Sequence, residues 1–155
     1  EEAYSALKAR KNYAAAAMAL MEVDEVRQRN FDAYNAQMEA WYYILFGEYD
    51  KAEEQLAELY PIASKIQSPS ALDNYNALSG MVRLFSGDAQ GSLSYFKDNI
   101  NPENYQYYAY FKALALKSTG EDTKARAIFN YIANYNFNSW EAVLVRSLAK
   151  KQLES

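Results

Sequence analysis

Three glycines cut this chain into apolar stretches in the same way each time. Gly47, Gly87 and Gly120 each close one helical pattern and open the next. Seven residues before them stand Ala40, Gly80 and Ala113; five after them stand Ala52, Ser92 and Ala125; nine after them stand Leu56, Phe96 and Phe129. The frame recurs at intervals of 40 and 33 residues. Small residues on both sides of a turn let two helices approach closely, and the large residue then fills the gap towards a neighbour. A single hairpin of this kind cannot bury its own apolar face, so neighbouring hairpins must stack on it. No stretch alternates apolar and polar residues as a strand would. The expected fold is all-α, an α-α superhelix of seven or eight helices.

Composition narrows the chemistry. The chain of 155 residues is half hydrophobic and 15% aromatic, which suits one domain with a sizeable core. It has no cysteine and no histidine, so a thiol nucleophile, an imidazole base, a disulfide framework and a zinc site are all excluded. The longest apolar run, Ala14 to Met21, is eight residues, too short for a membrane-spanning helix. The net charge of −4 argues against nucleic acid, which needs a positive stripe. That charge is uneven: residues 1–60 carry 12 acidic and 6 basic side chains, residues 61–155 carry 8 and 10. Solvated helix faces explain such an imbalance, and so does a polarised surface that orients a partner. Glu1-Glu2 reads as an excised or processed start, and no compartment is indicated.

Along the chain, residues 1–11 read as the end of a helix and 13–29 as a second one, with Leu20, Val23 and Val26 on one side. A break near Asn30 follows, with Asp32 capping a helix that runs to Phe46. The stretch 50–67 carries Pro61, which should kink or end it early. Ser68-Pro69-Ser70 is a loop, followed by helices over 70–86 and 88–99. Asn101-Pro102 opens the next helix, which runs to Ser118, and 122–133 follows Gly120. Ser139 caps a last helix with Trp140, Leu144 and Leu148 as its inward stripe and charges outside, as the end of a solenoid requires.

The residues around the turns resemble tetratricopeptide repeats. That family carries a Gly-x-Tyr-x-x-Ala turn, matched in full by Gly47-Glu48-Tyr49-Asp50-Lys51-Ala52. Gly87 to Ser92 and Gly120 to Ala125 match it with the tyrosine replaced, and Lys11 to Ala16 matches with Lys for Gly. Tyr4 stands where the other repeats have a small residue, so the first hairpin is divergent or truncated. The resemblance implies a single domain over 1–155, with hairpins at 1–29, 32–67, 70–99 and 102–133 and a capping helix at 139–154. It also implies a concave groove lined by the first helix of each hairpin. The matching positions are Tyr34, Gln37, Trp41 and Ile44, then Asn74, Ala77, Met81 and Leu84, then Tyr107, Tyr110, Leu114 and Lys117. Tyr34, Gln37, Trp41, Asn74, Met81, Tyr107, Tyr110 and Lys117 are the candidate ligand contacts.

Nothing in the chain spells catalysis. Ser94 to Lys97 and Ser5 to Lys8 both read Ser-x-x-Lys, without the further boxes a serine acylase needs. Adjacent acids such as Glu53-Glu54 point apart on a helix. The expected role is therefore non-enzymatic and cofactor-free: a scaffold that holds an apolar peptide or protein segment in an aromatic groove, where Asn and Gln hold the backbone. A carbohydrate or small-ligand domain is the alternative, since Tyr, Trp and Asn also suit sugars. A structural segment of a larger protein is the third reading.

Overall fold

The structure, a computed structural model, describes residues 2–20, 24–66 and 69–154. Every regular element among them is an α-helix: α1 (Glu2–Leu20), α2 (Glu25–Leu45), α3 (Tyr49–Ala63), α4 (Pro69–Phe85), α5 (Ala89–Tyr95), α6 (Gln106–Ser118), α7 (Asp122–Ala133) and α8 (Trp140–Glu154). Val23 and Ser68, and the side chains of Tyr4 and Leu20, lie outside the described residues.

The three turn glycines behave as one motif. Gly47, Gly87 and Gly120 have φ of 75°, 90° and 84°, left-handed backbone that glycine adopts without steric cost. In each case the amide after the glycine bonds back five residues, Glu48 to Tyr43, Asp88 to Arg83 and Glu121 to Leu116, at 2.8–2.9 Å. The glycine amide bonds back three, to Ile44, Leu84 and Lys117. This paired closure is the Schellman motif, which satisfies carbonyls that a helix end would otherwise leave open. The acid after each glycine then starts the next helix, its carbonyl accepting from Ala52, Ser92 or Ala125 at 3.0–3.1 Å. All nine residues of the small, small and large frame are buried.

The helices fall into two compact units, residues 1–75 and 76–155, and α4 contributes to both. In the first, α2 and α3 form the hairpin around Gly47 and α1 lies against α2. In the second, α6 packs on α5, α7 and α8, and α7 also packs on α8. Gly80 there faces the ring of Phe96 so closely that a Cβ would sit 2.9 Å from its Cζ.

Several boundaries differ from those read in the sequence. Lys11 to Ala16 is helical throughout, inside α1. Lys11 lacks glycine's access to left-handed φ, and the alanines after it favour helix. Asp24 is the cap of α2, accepting from the Arg27 amide at 2.8 Å, so Asn30 and Asp32 lie in its interior. Pro61 sits inside α3, which ends two residues later. α5 stops at Tyr95, where Phe96 turns its ring into the core. Asn101 caps only a single turn, its Oδ1 accepting from the Glu103 and Asn104 amides at 3.1 Å. α6 therefore begins at Gln106. Between them, Lys112 reaches back to donate to the Lys97 and Ile100 carbonyls at 2.8 and 3.1 Å.

Candidate functional site

In the first unit, the predicted contacts Tyr34, Gln37 and Trp41 follow one another along α2. Tyr34 is 41% exposed, with the Arg10 guanidinium 4.6 Å above its ring. Gln37 and Trp41 are half-buried. Asn74, in the second turn of α4, donates its Nδ2 to Gln37 Oε1 at 3.1 Å. The structure thus brings these two amides together, with the exposed Tyr34 and the half-buried Trp41 on the same helix as Gln37.

The second unit treats its predicted contacts differently. Met81 is fully buried, and Tyr107 and Tyr110 are nearly so. Their cover is α8. The Tyr107 ring meets Trp140, and Tyr110 hydrogen-bonds Gln152, as does Lys117 through Nζ at 3.0 Å. Burial pushes the Tyr110 hydroxyl above its ordinary pKa, with the Gln152 bond acting the other way. Glu141 of α8 closes the start of α6, accepting from the Tyr107 amide at 3.1 Å. Burial raises the Glu141 carboxyl pKa, opposed by the backbone donors of Tyr107 and Gln106. Ser139 caps α8 as expected, its Oγ accepting from the Ala142 amide at 3.1 Å. The contacts named on α6 are thus held by the chain itself.

The stripe expected to face inward on α8 faces outward. Trp140, Leu144 and Leu148 are 62%, 48% and 40% exposed, with Val143 beside them, whereas Ala142, Val145 and Ala149 are buried. The reason is helix approach. Small residues let α8 sit close to α6 and α7, and Leu144 and Leu148 are left on the far side, while Trp140 keeps the edge contact with Tyr107. α8 therefore ends the described chain with an apolar outer face. Its signal was in the sequence, in the seven-residue interval between Ala142 and Ala149, the logic that the glycine frame itself uses.

A second feature escaped the sequence reading. α1, α2 and α3 border a cleft of about 600 Å³ whose lining includes Asn12, Phe31, Asp32, Asn35, Gln55 and Glu58. These residues are mostly polar, so apolar periodicity could not point to them.

Among the described residues no cluster of three acidic or other ligating side chains could hold a metal ion, and no helix is long and apolar enough to cross a membrane. Compared with known protein families, curated proteins and solved structures, the chain matches none.

Proposed function

We propose that this chain is a tetratricopeptide-like interaction scaffold, a binding protein rather than an enzyme, that holds an apolar segment of a protein partner. Support for the architecture is the identical turn chemistry at Gly47, Gly87 and Gly120 with buried small residues on both sides. Support for the role is one observation above all: Trp140, Leu144 and Leu148 stand one above another on α8, exposed, on a helix whose opposite face is locked into the core. Isolated exposed apolar residues need no explanation, but an ordered stripe led by a tryptophan has the composition of an interface centre. Covering the part of each leucine that is still exposed is worth about 1 kcal/mol before association costs. The contacts would be apolar, so affinity should depend weakly on salt. Trp41 and Tyr34 offer a smaller aromatic surface in the first unit, whereas Met81, Tyr107 and Tyr110 act as packing groups.

Panning a display library of random peptides against the folded chain tests this. Enriched sequences should be apolar, and their affinity should fall at least tenfold on the Leu144→Glu/Leu148→Glu variant, with helicity and Tm unchanged. Trp41→Ala examines the first unit separately. Peptides that bind the Leu144→Glu/Leu148→Glu variant as tightly as the parent would remove α8 from the binding surface.

A further inference from the structure

The end of α7 and the loop leading to α8 have a composition found nowhere else in the chain. From Ala127 to Trp140 no residue is charged, 14 in succession and the longest such run. Within it, Asn134-Tyr135-Asn136-Phe137-Asn138 alternates amides with aromatic rings. Three rings of this segment also follow one another in space. Tyr131 lies 6.0 Å from Tyr135, and Tyr135 lies 5.7 Å from Phe137, centroid to centroid. Their planes tilt by 30° and then 55°, so the run is twisted rather than flat. Tyr131 is 39% exposed and Phe137 73%, with Tyr135 half-buried. Asn134 donates its Nδ2 to the carbonyl and the Oδ1 of Asn130 at 2.8 and 3.1 Å, which leaves Asn134 Oδ1 and Asn130 Nδ2 outside that pair of bonds.

Arg146 of α8 holds the loop. Its guanidinium donates to the Phe137 carbonyl at 2.7 Å and to Asn138 Oδ1 at 3.5 Å. Its Nε is buried without an acceptor, the one such side-chain atom among the described residues, and an unmade bond of this kind is costly. The result is a phenylalanine whose carbonyl is fixed and whose ring stays in water, the reverse of what burial alone selects.

A charged ligand finds no counter-charge in this segment. Nucleic acid, which also stacks on rings, needs a basic track for its phosphates. A proline-rich peptide stacks as well, but proline has no N–H to give an amide oxygen. A pyranose suits both halves of the surface. Its C–H groups meet the negative face of an aromatic ring, and each hydroxyl, donor and acceptor at once, matches a primary amide that is both. Equatorial substituents, as in a β-linked glucose chain, leave that C–H face clear. We infer that the segment is a platform for a neutral, linear β-glucan, stacked along Tyr131, Tyr135 and Phe137 and hydrogen-bonded by Asn134 and Asn136. The platform is separate from the outer stripe of α8 and uses neither Leu144 nor Leu148.

Cellohexaose, a soluble β-linked glucose chain, tests this when titrated into the full chain by calorimetry, with cellobiose, hexaproline and a hexathymidine oligonucleotide as comparisons. Cellohexaose should bind at least tenfold more tightly than cellobiose, which is too short to cover three rings, and its affinity should be the same at low and high salt. Phe137→Ala, at a side chain already in water, should lower that affinity at least tenfold with Tm unchanged. Arg146→Lys keeps the charge without the fork, so it should weaken binding severalfold in the parent and no further in Phe137→Ala. Leu144→Glu/Leu148→Glu should bind cellohexaose as the parent does, which keeps the outcome for this platform apart from that for α8. No binding of cellohexaose, equal affinity for cellobiose, full affinity in Phe137→Ala, or tighter binding of hexaproline or the oligonucleotide would each overturn the assignment.

Discussion

At the scale of single residues, glycine does two unrelated jobs in this chain. At Gly87 and Gly120 the space around a would-be Cβ is open, so only the left-handed φ demands glycine. At Gly80 the backbone is ordinary helix, and the Phe96 ring is what leaves no room. The two causes separate by rescue. Gly87→Ala should cost about 1–2 kcal/mol, and Gly87→Asn or a D-alanine at that position should recover most of it. Gly80→Leu should cost about 2–4 kcal/mol by overpacking. Gly80→Ala should cost less and be partly relieved by Phe96→Leu, a non-additivity that a double-mutant cycle of melting curves reads directly. An unchanged Tm in Gly80→Leu would contradict the close contact. These glycines were legible in the sequence because both constraints are local or nearly so. Asn35 was not, because a polar residue reveals its burial only once three helices surround it.

At the scale of elements, helix identity was easier to read than helix orientation. The turns at Gly47, Gly87 and Gly120 stand where the frame put them, since a Schellman turn is written in a few adjacent residues. For α8, side-chain size points Trp140, Leu144 and Leu148 inward, whereas close packing on α6 and α7 selects Ala142, Val145 and Ala149. The seam between α8 and α6 also carries a titratable group. Burial holds the Glu141 pKa above its ordinary value, so folding favours the protonated form. The sign follows: its contribution to stability is fully present below the unfolded pKa and is lost as pH rises through the raised folded value. Relative to Glu141→Gln, which cannot ionise, the parent should therefore lose Tm as pH climbs from about 4 to 7. If the difference grows in the parent's favour instead, the backbone donors of Tyr107 and Gln106 outweigh desolvation.

At the scale of the whole molecule, charge divides along the same line as the compact units. Residues 1–75 carry 13 acidic and 7 basic side chains and residues 76–155 carry 7 and 9, so one unit is strongly negative and the other weakly positive. The polarity visible in the linear sequence thus belongs to structural bodies, which a count along the chain could not establish. The second unit depends on its last helix. Ending the chain after Asn134 would strip α8 from Tyr107, Tyr110 and the inner face of α7, all of them buried. The truncated protein should aggregate, as light scattering after size exclusion would register. Leu144→Glu/Leu148→Glu should do the opposite, improving solubility at unchanged Tm, because those side chains already face solvent. A monomeric and equally stable truncation would show that α8 covers nothing of consequence.

The shared turn also bears on how quickly the chain finds its fold. Each left-handed glycine sets the partners of a hairpin, such as Ala40 and Ala52, only a dozen residues apart in sequence. Closing a loop of that size takes on the order of 10–100 ns, and the entropy lost in doing so is small compared with that of joining distant segments. Reversals that are specified locally make for low contact order, the property that most separates fast-folding domains from slow ones. An alanine at one of the three reversals would therefore leave its mark on the refolding rate as well as on the equilibrium, while Gly80→Ala, which disturbs a tertiary contact, would register mainly in the rate of unfolding.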